Sequence, residues 1–277
     1  MLEFKKFENG FSYVEIGNAS ASAKIAFQGA HLFHYERKNE KPLLWLSKSS
    51  DFEVGKAIRG GVPICWPSFG MNNSDLPQHG FARVGMWKLK NSIERDEETT
   101  QATFVLRDTD ASRGMWNYKF ELELKITIGK KLIMQLITTN KDEKSFKLTQ
   151  ALHTYFAISD ISNIMIKGLN KKPYLDTLTN KQKKQKGKIK FKEEMDRVYQ
   201  EVDGEILLKD KMHTTHITNK GSSSVVIWNP WKKKCKKMSA MSNEAYKEFV
   251  CIESANAYDD FRVLQPNESH TMGVIID

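Results

Sequence analysis

Apolar and polar residues alternate without a miss over nine positions of the stretch Phe120-Glu121-Leu122-Glu123-Leu124-Lys125-Ile126-Thr127-Ile128. A period of two over that length predicts a half-buried β-strand. Gly129-Lys130-Lys131 then supplies a turn, and a second apolar run over 132–139 completes an antiparallel hairpin. Shorter strand-like runs recur at 11–16, 24–27, 102–106, 147–156, 163–167, 206–208, 216–219, 225–228, 249–252 and 271–276. Helical periodicity is scarce. The best helix candidate is 242–249, with Ser242 as N-cap and Glu244 in the first turn. Many brief strands separated by turn signals predict an all-β protein, a large antiparallel sandwich or barrel. With no internal repeat and no linker in view, residues 1–277 read as one domain.

Charge raises partners that its distribution then argues against. The 277 residues include 43 Lys and Arg against 34 Asp and Glu, a net +9 that is compatible with nucleic acid, anionic membrane or a phosphorylated substrate. Much of the excess is lysine in two runs, 181–192 and 232–237, neither interleaved with aromatics or arginine as a nucleic-acid reader would be. The first run is expected to be an extended surface loop, and no nucleic-acid partner is expected. Three cysteines without C-x-x-C spacing indicate neither a disulfide framework nor a zinc ribbon. No apolar run approaches a membrane span, and the N-terminus lacks a signal-like apolar core. A cytoplasmic protein with no membrane partner is the resulting expectation.

The candidate chemistry gathers around residues 59–83. That stretch opens Arg59-Gly60-Gly61-Val62-Pro63-Ile64-Cys65-Trp66-Pro67 and closes Leu76-Pro77-Gln78-His79-Gly80-Phe81-Ala82-Arg83, so two arginines and a histidine are presented by restricted turns. Elsewhere, His153 sits among apolar neighbours in Ala151-Leu152-His153-Thr154-Tyr155-Phe156, and Glu253 ends the apolar run Val250-Cys251-Ile252. A buried carboxylate needs a partner or a raised pKa. Glu253 and His153 are therefore natural partners for acid–base work. Asp196 and Arg197 are adjacent and also compatible with a local surface pair. Arg59, Gln78, Arg83 and Asp196 suit the anchoring of phosphate or sugar hydroxyls. Trp66 and Trp231 suit either a sugar face or the core. The spacing His213-Thr214-Thr215-His216 puts two histidines on opposite faces of a strand, which argues against a metal pair.

Taken together, Ile58-Arg59-Gly60-Gly61-Val62-Pro63, His79-Gly80-Phe81-Ala82-Arg83, Ala151-Leu152-His153-Thr154-Tyr155-Phe156, Asp196-Arg197-Val198-Tyr199, Trp228-Asn229-Pro230-Trp231 and Phe249-Val250-Cys251-Ile252-Glu253 resemble the motif series of the hexose-6-phosphate mutarotases. These are also called glucose-6-phosphate 1-epimerases, a branch of the aldose 1-epimerase superfamily. The series occurs in family order, with Gly29-Ala30-His31 near its start. The resemblance implies a galactose-mutarotase-like super-sandwich, a catalytic histidine and glutamate carried by His153 and Glu253, a second site histidine at His79, site arginines at Arg59 and Arg83, and a substrate-contacting aspartate at Asp196. After the glutamate the chain departs from many relatives, reading Ser254-Ala255-Asn256-Ala257 in place of a small residue followed closely by glycine.

The reaction so implied is an isomerase's: interconversion of the α and β anomers of an aldohexose 6-phosphate through the open-chain aldehyde, with Glu253 as base, His153 as acid and the arginines on the phosphate. It requires no metal or organic cofactor, and a monomer acting on a small phosphosugar is expected. A mutarotase for unphosphorylated aldoses and a non-catalytic carbohydrate-binding protein are the alternatives. An acid–base couple argues against the latter, since a binding module has no use for one.

Overall fold

The computed structural model describes residues 1–70, 75–211 and 213–277, so residues 71–74 of the 59–83 stretch lie outside the described residues. Among those described, two eight-stranded antiparallel sheets face each other. The first runs, in spatial order, Met165–Lys167, Ile206–Asp210, His213–Lys220, Ser269–Ile276, Leu132–Asn140, Phe120–Ile128, Thr99–Arg107 and Lys88–Asp96. The predicted hairpin is its centre, and both strands show strict alternation of buried and half-buried residues. The second runs Lys181–Lys184, Pro173–Asp176, Met195–Tyr199, Ser224–Asn229, Phe249–Asn256, Gln150–Leu152 and Ile64–Cys65, with Tyr155–Ala157 also paired to Phe249–Asn256. A four-stranded sheet of Leu2–Lys6, Ser12–Gly17, Ala21–Ala26 and His31–Arg37 completes the frame, with a small pair formed by Phe146–Leu148 and Arg262–Leu264. This is the expected all-β super-sandwich.

Between the sheets lies a continuous apolar core, and polar side chains buried in it at Trp66, Gln150 and Asn256 are paired. Trp66 is fully buried, packs on Phe120 and Trp116, and donates its indole N–H to Thr138 Oγ1 at 3.1 Å. Gln150 donates to Asn256 Oδ1 at 2.9 Å, and Asn256 in turn reaches Asp260 and the Gly221 carbonyl. Such closed networks avoid the cost of a buried unpaired polar group. Trp66 is thus a core residue, whereas Trp231 is half-buried against Tyr246.

Several expectations need correction. The helix expected over 242–249 is a single 3₁₀ turn, Ala245–Lys247, and Ser242 caps nothing with its side chain: its carbonyl accepts from Ala245 N at 3.1 Å. Phe249, fully buried, is drawn into the sheet opposite Ala157, which ends any helix before it. The lysine-rich 181–192 segment begins as a fully exposed edge strand, Lys181–Lys184, and is then pinned by buried Ile189 and Phe191. Lysines on an exposed sheet edge discourage pairing with another chain. The run 147–156 breaks into three short strands, and the reason is the site described next. No turn follows Glu253, because its strand continues to Asn256. Two helices escaped the sequence reading, Asp110–Met115 and Trp231–Cys235, both very short. Among the described residues no helix is long and apolar enough to cross a membrane.

Candidate active site

Glu253 occupies the middle of the second sheet, paired with Val226 on a strand whose every residue is buried. Its neighbour on the other side is the gap between Gln150–Leu152 and Tyr155–Ala157, and His153 fills that gap. The break is held by the backbone: His153 N donates to the Pro63 carbonyl at 3.0 Å, and Ile252 N donates to the Thr154 carbonyl at 3.2 Å. The result brings Nε2 of His153 to 3.3 Å from Oε1 of Glu253, whose side chain is 1% exposed. Neither Glu253 Oε2 nor His153 Nδ1 has another partner among the described residues. The His153 ring stacks on Tyr155, centroids 4.9 Å apart at 11°, and meets the edges of His79 and Trp228.

Electrostatics at this pair follow from burial. Desolvation drives the Glu253 carboxyl well above the usual carboxylate range, and Asp196 pushes it the same way. Desolvation drives the His153 imidazole well below its usual value, helped by His79, Arg83 and Arg59. Both shifts favour neutral groups.

The walls come from the glycine-rich turns. Gly61 has φ +61°, and a Cβ there would lie 2.4 Å from the Leu32 carbonyl oxygen; Gly80 has φ +70°, with the Trp66 carbonyl oxygen at 2.1 Å. Only glycine fits such close backbone approaches. His31 is buried behind this wall, with Nε2 at 2.8 Å from the Gly60 carbonyl, and is a framework residue. His79, itself in a left-handed conformation, accepts a hydrogen bond from Gly70 N on Nδ1 at 3.2 Å. Burial, then Arg83 and Arg59, lower its pKa to about 3, so the ring is neutral and its proton sits on Nε2 as a donor. Arg83 is half-buried and donates to the Gln78 carbonyl at 2.6 Å. Gln78 therefore enters through its backbone, its side chain being exposed. Arg59 is half-buried beside the Tyr155 hydroxyl, with its buried Nε unpartnered among the described residues.

Strand register places Asp196, Trp228, Cys251 and Tyr155 opposite one another in one row, hence on one sheet face, with Glu253 two residues beyond Cys251. Burial raises the Asp196 carboxyl, and Lys234 opposes the rise. Asp196 and Arg197 are not a mutual pair, since alternation sends Arg197 to the other face, where it lies over Tyr174. The site thus unites His153 and Glu253 in contact, with His79 on the His153 ring and Arg59, Arg83 and Asp196 near enough to act on the pair's charge. Gln78 stays on the rim. Tyr155, Trp228 and Lys234 were assigned no role from the sequence, although the first two fall inside the quoted motifs. His213 and His216 are exposed and remote in function; His216 Nδ1 lies 3.0 Å from Glu205. Two surface cavities of about 590 and 710 Å³ are lined by none of His153, Glu253, His79, Arg59, Arg83 and Asp196, although His213 lines the second, so chemistry rather than volume locates the site.

Comparison with known proteins identifies the family. The sequence profile described as aldose 1-epimerase matches residues 12–277. A Cenchrus ciliaris protein, named as a proposed glucose-6-phosphate 1-epimerase, is 34% identical over 96% of this chain and 84% of its own length. A Salmonella typhimurium protein of the same name is 34% identical over 88% of this chain and 83% of its own length. The crystal structure of a proposed mutarotase from Salmonella typhimurium superposes with a TM-score of 0.92 at 31% identity, covering 99% of this chain and 92% of that one. A galactose mutarotase-like protein from Lactobacillus casei, at 15% identity and a TM-score of 0.75, shares the fold. The chain belongs to the aldose 1-epimerase family, whose chemistry is the interconversion of sugar anomers.

Proposed function

We propose that the protein interconverts the α and β anomers of an aldohexose 6-phosphate, with glucose 6-phosphate as the preferred candidate, and that Glu253 and His153 move the protons. The observation that carries this reading is the 3.3 Å contact between Glu253 Oε1 and His153 Nε2 in a buried setting where neither residue's remaining polar atom is engaged. Starting from carboxylate and imidazolium, Glu253 takes the proton of the C1 hydroxyl as His153 gives its own to the ring oxygen. The O1–H electron pair becomes the carbonyl π bond, and the C1–O5 pair stays on O5 as a hydroxyl. The step ends with a neutral carboxyl and a neutral imidazole. Burial disfavours both charges, so the charged pair is the high-energy starting state, and coupling the two transfers relieves it while avoiding free oxide or oxocarbenium charge. Rotation about C1–C2 and the reverse transfers close the ring on the other carbonyl face.

His79, a neutral N–H donor, suits an oxygen that gains charge, and Asp196 suits the ring hydroxyl protons. Arg59 and Arg83 suit the phosphate dianion, for which arginine is the strongest fixed donor. The phosphosugar assignment is supported by these arginines and by the names of the relatives. The test is anomer exchange by two-dimensional NMR with glucose 6-phosphate and glucose side by side. Acceleration of the phosphate alone is expected. Equal acceleration of both would remove the arginines as phosphate readers, and acceleration of neither would overturn the reading.

A further inference from the structure

Cys251 is a buried thiol that the proposed reaction does not use, yet it stands inside the site. One ligand atom each from His153, Cys251 and Glu253 lies within 4.8 Å of the others. We propose that these three residues form a binding site for a thiophilic divalent cation, zinc being the type case, and that the bound cation shuts off anomer exchange. The inhibition rests on the proton-transfer roles proposed above; the site itself does not.

The geometry is near to what such an ion needs. With metal–nitrogen and metal–oxygen bonds of about 2.0–2.2 Å and a metal–sulfur bond of about 2.3 Å, the edges of a tetrahedron are about 3.3–3.6 Å. The His153–Glu253 edge is already 3.3 Å. The sulfur needs to close by up to about 1.3 Å to complete the face, within reach of a side-chain rotation. Cys251 and Glu253 are two residues apart on one strand face, and His153 comes from the adjoining strand break, so rigid sheet backbone presents all three. Three protein ligands leave the fourth position to water or a sugar hydroxyl.

A further observation points to a cation. Glu253 is almost wholly buried with Oε2 unpartnered among the described residues. A carboxylate, a thiolate and a neutral imidazole around a dication sum to zero charge, so the ion removes the cost of a buried anion. Arg59 and Arg83 oppose a cation here and Asp196 favours one; the two anionic ligands decide the balance. The sulfur selects the metal, since thiolate favours zinc, cadmium and cobalt over magnesium and calcium. Binding forms a metal–sulfur and a metal–carboxylate bond and sends the thiol proton and the proton of the neutral Glu253 carboxyl to solvent, with no redox step. It occupies the Glu253 and His153 lone pairs that proton transfer uses, hence inhibition.

Cobalt(II) is the direct probe, because thiolate ligation gives a sulfur-to-cobalt charge-transfer band. Titration of the whole chain is expected to show that band at one equivalent, displaced by zinc, kept in Cys235→Ser and lost in Cys251→Ser, with zinc affinity at least about tenfold weaker in the latter. One equivalent of zinc should abolish anomer exchange, and EDTA should restore it. A wild-type protein without the band, or a Cys251→Ser protein that keeps it, overturns the site. If Cys251→Ser fails to fold, alkylation of the wild type in enough urea to label the buried Cys251, read by mass spectrometry, decides: slower labelling of Cys251 than of Cys235 on adding zinc supports the site, and unchanged rates for both overturn it. Undiminished or faster exchange with zinc bound overturns the inhibition. A band in a protein that never accelerates exchange sustains the metal site and removes the proposed function instead.

Discussion

The two large sheets of this protein use the same strand chemistry for opposite purposes. In the hairpin Phe120–Ile128 and Leu132–Asn140, the alternation is uninterrupted and the inward positions are apolar except Thr138 and Asn140, both hydrogen-bonded. In the facing sheet, Phe249–Asn256 is buried at every position and carries Glu253, while its neighbours stop and restart around His153. The regular sheet buries what water rejects. The irregular one buries a carboxyl and an imidazole that water would solvate, a costly arrangement that fits the proton-transfer role proposed for them. A strand that breaks its own pattern in a buried sheet is therefore the place to look for chemistry.

That contrast can be broken by substitution. The largest effect is expected at the pair: Glu253→Gln and His153→Ala should each lower anomer exchange by on the order of a hundredfold or more. Because the two act as a unit, the double variant should lose little more than the worse single one. Additive losses in exchange rates would show that they work independently. In the regular sheet the currency changes. Leu124 is fully buried, and Leu124→Ala should cost about 2–5 kcal/mol in urea unfolding while exchange per folded molecule stays unchanged. A loss of exchange larger than the loss of folded protein would mean that the two sheets are not separable in this way.

Two smaller effects sharpen the comparison. His31 is buried and its pKa is lowered from 6.5 to about 4, chiefly by burial. The unfolded chain therefore binds this proton first, so the contribution of His31 to stability is full above about pH 6.5 and is lost as pH falls through about 4. The loss amounts to on the order of 3 kcal/mol. Urea unfolding across that range should be less acid-sensitive in His31→Gln; an identical slope would mean that His31 is not buried neutral. Arg83→Ala should raise KM for the phosphorylated sugar by about tenfold or more, the worth of a charged hydrogen bond, and leave the unphosphorylated sugar nearly unaffected. Equal shifts in steady-state kinetics for both sugars would deny Arg83 the phosphate.

The regular sheet was the more legible in sequence, for a physical reason. Alternation over Phe120–Ile128 is a local property of the chain, set by one face toward the core and one toward water. The run 249–252 was read as a strand, but its extension to Asn256 was not, because burial on both faces erases alternation. Lys88–Asp96 went unread because most of it is exposed and polar, and pairing with Thr99–Arg107 alone makes it a strand. At the site, residue types and the family motifs singled out His153, Glu253, His79, Arg59, Arg83 and Asp196 in advance. Their convergence was beyond local reasoning, since the 3.3 Å contact joins residues a hundred positions apart through strand register. Cys251 and Tyr155 were passed over because a thiol and a tyrosine in an apolar run look like core until the row opposite Asp196 is drawn.

The central claim is that one buried proton, passed between Glu253 and His153, opens and closes the sugar ring. Anomer exchange of glucose 6-phosphate, measured by NMR for wild type and for a Glu253→Gln protein shown to be folded, tests it most directly. The account predicts strong acceleration by the wild type and a loss of on the order of a hundredfold or more in the variant; near-normal exchange in folded Glu253→Gln would contradict it.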